Sequence, residues 1–355
     1  MVGGRGVKGR RLTEDEMRDR IREVKDRHNL SDIISRKTTL KRAGRELRGL
    51  CFVHEEKTPS LYVNDQLGVY LCRGCSASGD LISAVMEIEG LDFMRALRWL
   101  GAADLPKADP AQRVKAVERD EAERSMRAED AAQIWKQSVP LAGTLGETYL
   151  ASRCITAWPT SIRFARTWWW CNYETGEVSP ELPAVIGMVQ REDGFSGIQR
   201  IFLRQDGAGK AALGGGKAKL SLGGVRGGAL RLGPAASTIH VCEGPEDGLS
   251  LAQEMPGISV WVALGTANMP QIRYPATVRK VVICAQNDAA GERATEAAAE
   301  ALADQGYMVD VRRPRAEYKD WNDQLCAMKR AVEAGTITST DARSAWGRQL
   351  GGATA

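Results

Sequence analysis

Four residues constrain this chain more than any others. Cys51, His54, Cys72 and Cys75 read C-x2-H, seventeen residues, then C-x2-C. Each short pair presents two donors from one tight knuckle. Two knuckles at this separation close a tetrahedral zinc site only if the segment between them doubles back. The rival reading is three core thiols beside an unrelated histidine. It must place one of only three histidines in the chain at this spacing by chance. Protein ligands fill all four positions, so the site is expected to be closed and structural, and its module to depend on the ion for folding.

The segment between the pairs is suited to doubling back. Residues 61–63 and 69–71 are strand candidates, joined by the turn-forming run 64–68. Upstream, 13–36 reads as a charged amphipathic helix and a further helical turn, opened by the capping-box pair Thr13 and Glu16. Downstream, 80–89 has helical periodicity, and so do Phe93, Ala96, Leu97 and Leu100. The expectation is an α+β zinc-ribbon module over 13–103, preceded by a flexible basic tail, 1–12. Residues 1–49 carry 15 Lys/Arg against 8 Asp/Glu, so the net charge of +4 is concentrated at this end, which suits a polyanionic partner. Lys57, Tyr62, Tyr70 and Arg73 offer charge and stacking surface to single-stranded template.

Residues 104–130 are charged and poor in large apolar side chains, as in a solvated helical linker. A helical pattern returns over 131–150 and is broken at Pro140 and Gly143. Strand candidates follow at 161–164, 184–190 and 197–203. Trp168, Trp169 and Trp170 are read as packed partly against this sheet, and 207–228 as a flexible Gly/Lys-rich loop. From 238, apolar strands (238–242, 258–264, 279–285, 307–311) alternate with helices (246–255, 291–305). This alternation predicts a buried parallel sheet. The boundaries expected are therefore 131–235 for the first part of a core, 236–330 for an α/β domain and 331–355 for a C-terminal tail. There is no apolar run long enough to span a bilayer and no secretory signal. The cysteines outside the quartet are scattered, as free thiols in a reducing cytoplasm would be. No G-x4-G-K-[ST] string occurs, so no fused ATP-driven helicase is expected.

Acidic residues gather at the ends of the α/β strands. Glu243 follows 238–242, and Asp247 lies one helical turn on, so both carboxylates can face one crevice. Asn287 and Asp288 follow 279–285. Asp320, Asn322 and Asp323 follow the fourth strand. Open α/β sheets place their ligand sites at such carboxyl ends, and oxygen donors there suit Mg2+ or Mn2+. Such an ion neutralises a triphosphate and activates a hydroxyl. Acidic residues at strand ends that hold no metal are the competing reading.

Two stretches carry a family resemblance. Leu50-Cys51-Phe52-Val53-His54-Glu55-Glu56-Lys57-Thr58-Pro59-Ser60 and Tyr70-Leu71-Cys72-Arg73-Gly74-Cys75-Ser76-Ala77-Ser78-Gly79-Asp80 resemble the two halves of the CHC2-type zinc-binding domain of DnaG-type primases. The family's usual proline in the first knuckle is replaced by Phe52-Val53, which spares the ligands. Glu243-Gly244, Asp247 and Gln286-Asn287-Asp288 resemble the acidic motifs of a Toprim domain, with glutamine in place of the first aspartate of D-x-D. Lys319-Asp320-Trp321-Asn322-Asp323 is similar to the late acidic pair in primases of phages and mobile elements.

The resemblance implies a zinc ribbon followed by a mixed α/β core containing a Rossmann-like Toprim domain. It implies a nucleotidyltransferase, a DNA primase that copies single-stranded DNA into short RNA primers from ribonucleoside triphosphates, in the cytoplasm of a bacterial cell. A replicative helicase or replicase would be its partner. The implied catalytic residues are Glu243, Asp247, Asp288 and Asp320. Mg2+ or Mn2+ would sit on Glu243, Asp288 and Asp320, with Glu243 also helping to activate the attacking hydroxyl. Arg200, Arg204, Lys217, Lys219 and Arg226 would hold phosphates or template. Gln286 removes a charge and keeps a second reading open: a catalytically degenerate, primase-like single-stranded DNA-binding protein serving a partner replicase. A Toprim nuclease or topoisomerase is a third reading, opposed by the zinc module and the lack of a nucleophilic tyrosine module.

Overall fold

The computed structural model describes residues 13–44, 46–75, 77–102, 110–213 and 216–350. The expected basic tail, 1–12, lies outside them. The chain divides into two compact units between Glu121 and Ala122.

In the first unit, Thr13 caps helix α1 (Glu14–Arg27) through the capping box that its pairing with Glu16 predicts. A second, short helix, α2 (Leu30–Ile34), buries Leu30, Ile33 and Ile34. A five-stranded antiparallel sheet follows in sequential order: β1 (Lys41–Ala43), β2 (Glu46–Gly49), β3 (Leu61–Asn64), β4 (Val69–Cys72) and β5 (Ser78–Asp80). The first, second and fifth strands are short, and sequence patterning does not mark them. In the β3–β4 hairpin Leu61 pairs with Cys72 and Val63 with Tyr70. Because side chains alternate across a strand, Leu61, Val63, Tyr70 and Cys72 all face inward, while Tyr62, Val69 and Leu71 face out. Asp80 then caps α3 (Leu81–Glu89) by accepting from the N–H groups of Ile82 and Ser83, and α4 (Phe93–Ala102) completes the core with Ala96, Leu97 and Leu100.

Helix α5 (Pro110–Gln137) carries the charged run of the expected linker. In the second unit, a short strand β6 (Val139–Pro140) interrupts the helical pattern before α6 (Leu145–Ser152), where proline and glycine predict the break. With β6, the remaining strands build one ten-stranded mixed sheet. Its antiparallel part holds β7 (Ile162–Trp168), β8 (Glu181–Arg191), β9 (Gly194–Phe202), β10 (Lys219–Gly223) and β11 (Ala229–Arg231). Strand β10 lies inside the run 207–228 that reads as a flexible loop. Its Lys219–Gly223 backbone pairs with Ile201–Gly197 of β9, and Leu222 is buried there. A weakly apolar, Gly-rich strand is specified by the partner it pairs with, not by its own composition.

The parallel part runs β13 (Ser259–Val262), β12 (Thr238–Cys242), β14 (Lys280–Cys284), β15 (Met308–Arg312). Helix α7 (Pro245–Glu254) leads from β12 to β13 on one side. Helix α8 (Ala289–Asp304) leads from β14 to β15 on the other. The neighbours β12 and β14 thus send their chains in opposite directions, and a crevice opens outside their carboxyl ends. Helices α9 (Trp321–Glu333) and α10 (Ser339–Leu350) pack Trp321 on Trp346, both fully buried, with ring centroids 5.5 Å apart. No helix among the described residues is long and apolar enough to cross a membrane.

Candidate zinc centre and acidic crevice

The hairpin brings the quartet together. The four ligand atoms lie within 4.8 Å of one another. Cys51 Sγ is 3.8 Å from Cys75 Sγ, and Cys72 Sγ is 3.8 Å from His54 Nδ1. A tetrahedron with Zn–S bonds of about 2.3 Å has an edge of about 3.8 Å. The donor set and its spacing therefore fit Zn2+, with Nδ1 as the histidine donor. Backbone N–H groups of Val53, Gly74 and Cys75 point at the sulfurs, as they do around thiolates.

Glu56, which the sequence pattern does not mark as functional, ties this site together. It accepts from the N–H groups of Cys51 (2.8 Å) and Ser60 (3.0 Å) and from the Ser60 hydroxyl, and it lies 3.5 Å from His54 Nε2. Burial opposes its charge, but these hydrogen bonds prevail and hold its carboxyl below the usual range. A carboxylate behind a ligating histidine fixes the ring and its tautomer. The available signal was the third position of H-x-E-K-T-P-S. Gly74 is equally constrained. A Cβ there would come 2.9 Å from His54 Nε2 and 2.8 Å from Ser60 Oγ.

On the outer face, Lys57 and Arg73 are exposed. Arg73 stacks over Tyr62 at 4.2 Å, with Arg48 on the same ring at 5.5 Å. Tyr70 does not belong to this face. It is 4% exposed and packs 5.1 Å from the Phe52 ring. The tyrosine on the outer face is Tyr62, and strand alternation is the reason.

In the second unit, Glu243 is exposed and accepts from the Thr266 hydroxyl at 3.2 Å. Asp288 caps α8 by accepting from Gly291 N–H (2.6 Å), and Asp320 caps α9 through Asp323 N–H (2.8 Å). The caps occupy one oxygen of each and leave the other without a hydrogen bond among the described residues. Asp247 differs. It is buried, and both its oxygens are engaged, Oδ2 by the Gln286 amide (2.7 Å) and Oδ1 by Asn322 N–H (3.2 Å). Burial, then the neighbouring Asp320, push it up to about 7, against the pull of those two donors. The amide nitrogen of Gln286, not its carbonyl oxygen, thus faces the acidic set. Asn287 is structural, donating to the carbonyls of Pro314, Arg315 and Tyr318.

Among the described residues, no three of these carboxylates draw together as the quartet does. Glu243, Asp288 and Asp320 each keep one oxygen without a hydrogen bond among the described residues, the donor type that a hard divalent cation takes.

Glu246 is a further residue that strand-end spacing does not pick out. It is buried beside Asp247, yet it faces Lys210 (2.5 Å), Lys219 (3.5 Å) and the Tyr149 hydroxyl (2.9 Å). Burial alone would raise it, but Lys219 and Lys210 bring it down to about 2. Lys217 is exposed. Arg204 is exposed and paired with Asp206 at 2.6 Å. Arg226 lines an open cavity of about 540 Å³ with Arg191 and Arg273. Arg200 is not available to a ligand. It is 2% exposed, lies over Trp168 and Phe202, and donates to the Trp168 carbonyl. The following Trp169 is half-buried, and Trp170 is exposed.

Comparison with known proteins finds three family matches along the chain. Residues 16–112 match the CHC2 zinc finger family, 125–232 a domain of unknown function (DUF7146), and 238–331 the Toprim domain. A DNA primase of Myxococcus xanthus is 36% identical over 156 residues, covering 42% of this chain and 24% of the relative. A DNA primase of Clostridium acetobutylicum is 43% identical over 82 residues, covering 23% and 14%. The chain thus spans a quarter or less of the length of these relatives. Among solved structures, the zinc-binding and RNA polymerase domains of the Aquifex aeolicus primase align over 93% of this chain and 96% of that one. Sequence identity is 17% and the TM-score is 0.39, too loose a likeness to carry an argument.

Proposed function

On the premise that the chain joins a CHC2 zinc finger to a Toprim domain, we propose that it is a DnaG-type DNA primase. It reads single-stranded DNA with the zinc unit and makes short RNA primers from ribonucleoside triphosphates at the crevice beyond β12 and β14. The observation that carries this reading is the coexistence of the closed Cys51/His54/Cys72/Cys75 site with carboxylates placed at that crevice. Mg2+ or Mn2+ would be held by Glu243, Asp288 and Asp320, and would supply the charge that neutralises a triphosphate and activates a 3′-hydroxyl. Asp247 is buried and is itself held by the Gln286 amide and the Asn322 N–H. Lys217, Lys219 and Arg226 would meet phosphates. Tyr62, Arg73 and Lys57 would meet unpaired bases and backbone. A bacterial cytoplasm and a helicase or replicase partner are in keeping with this role.

The test is template-directed incorporation of labelled ribonucleotides on single-stranded DNA, with Asp288→Ala as control. Absence of product with every template and divalent metal tried rejects polymerisation. The Gln286–Asp247 hydrogen bond favours one second reading, a primase-like DNA-binding protein with a degenerate centre. An inert native chain whose Gln286→Asp variant makes primers would establish it.

A further inference from the structure

The Glu246 network contains none of the residues proposed to hold the metal, and it is built differently from them. A buried carboxylate needs one cation for neutrality. Glu246, with 6% of its side chain exposed, has two, Lys210 at 2.5 Å on Oε1 and Lys219 at 3.5 Å on Oε2. The Tyr149 hydroxyl donates to the same Oε1 at 2.9 Å and fixes the carboxylate from the α6 side. The lysines themselves are not buried. Their side chains are 37% and 43% exposed. An ammonium has three N–H donors, and each ion pair uses one, so both lysines keep donors turned to solvent.

The direction they face is set by the fold. Glu246 stands in the first turn of α7, directly after the Glu243-Gly244 strand end. Lys219 Nζ lies 3.6 Å from the point a Cβ on Gly244 would occupy, over the turn that carries Glu243. Lys219 opens β10, and Lys210 comes from the loop before it. A single carboxylate therefore gathers cations from two places in the chain and leaves one positive charge uncompensated at the rim of an otherwise acidic crevice. Phosphoryl chemistry needs such a point charge beside the metal carboxylates, where the non-reacting phosphate oxygens lie.

We propose that Glu246 is a positioning residue that holds Lys210 and Lys219 as a paired clamp for the polyphosphate of an incoming nucleotide, with Tyr149 fixing the carboxylate. The proposal rests on the nucleotidyl-transfer reading of the crevice, in which Lys219 already meets phosphate, and adds Lys210 and the Glu246–Tyr149 pair that holds both lysines.

Direct binding to the full chain tests it, with MgATP, inorganic triphosphate and adenosine as probes, measured by calorimetry, and with primer synthesis assayed in parallel. Lys219→Met and Lys210→Met, both at half-exposed positions, should each weaken MgATP and triphosphate by about tenfold or more. Adenosine should be held as before. Glu246→Gln should weaken the same two probes and raise the nucleotide KM more than it lowers kcat, as expected for lost positioning of a bound group. Native-like circular dichroism and unfolding midpoints that stay above the assay temperature show that the two lysine variants, each lacking one of the charges that neutralise Glu246, are folded when assayed. Unchanged triphosphate binding in both lysine variants overturns the clamp, even if the protein makes primers. Loss of triphosphate binding in those variants upholds it, even if no primer synthesis is detected and the primase reading fails.

Discussion

Replacing Glu246 by glutamine keeps its shape and removes its charge. The cost follows from the network around it. The carboxyl drops from the ordinary 4.5 to about 2 in the folded protein, because Lys219 and Lys210 overcome a burial that would otherwise raise it. That drop corresponds to about 3 kcal/mol of folded-state preference for the charged form. The folded value is the depressed one, so this contribution is complete above about pH 4.5 and drains away as pH falls toward about 2. The glutamine variant lacks it at every pH. Urea unfolding followed by tryptophan fluorescence reports mainly the second unit, which holds every tryptophan except Trp99. The native chain should exceed Glu246→Gln by about 3 kcal/mol at neutral pH, and the gap should narrow steadily below about pH 4.5. A gap under about 1 kcal/mol at neutral pH, or one that stays constant down to pH 3, would refute the claim that the lysines hold a buried charge.

Three further outcomes are expected. Tyr70→Ala should destabilise the first unit by about 3–5 kcal/mol, as loss of a buried aromatic does, while Tyr62→Ala should leave its unfolding midpoint alone and weaken single-stranded DNA binding by about 1–3 kcal/mol in a fluorescence titration. The reverse pattern would show the hairpin register to be wrong. Gly74→Ala pushes a methyl group against His54 Nε2 and Ser60 Oγ, and should lower zinc affinity by about tenfold or more in competition with a chromophoric chelator. Gly248→Ala would place a Cβ 2.5 Å from Val262 Cγ2 and 3.0 Å from Leu232 Cδ1, so helix α7 must lift from the sheet at a cost of about 1–3 kcal/mol, read by urea unfolding.

The zinc quartet with its flanking helices, and the parallel strands of the second unit, were legible because each rests on local pattern. The capping box at Thr13 and Glu16, the ligand spacing and the long apolar strands 238–242 and 279–285 all state their structure in consecutive residues. What was illegible depends on partners distant in sequence. Strand β10 exists because β9 offers it an edge. Arg200 looks like a surface cation, but its strand turns it under Trp168. Tyr70 and Tyr62 are interchangeable as aromatic residues in a basic hairpin, and only the pairing of Val63 with Tyr70 decides which faces the core. Glu246 was passed over because strand-end spacing points to Glu243 and Asp247. Its lysines stand 27 and 36 residues earlier in the chain.

Gln286 takes on a definite physical meaning in this setting. An aspartate there would set a second carboxylate against Asp247 at hydrogen-bonding distance, and two such groups cannot both ionise without a shared proton or cation. The amide instead donates to Asp247 Oδ2, so Asp247 is held in place with no cation between the two side chains. The negative charge at the crevice falls by one. The carboxylates that retain a free oxygen, Asp288 and Asp320, are the ones whose other oxygen is fixed by a helix cap, and Glu243 joins them from the end of β12. On the proposed reading, a divalent ion would therefore be met by these three carboxylates and not by buried Asp247. If the proposed clamp and metal site both hold, triphosphate and divalent ion should each bind more tightly in the presence of the other, which calorimetry on the full chain can read.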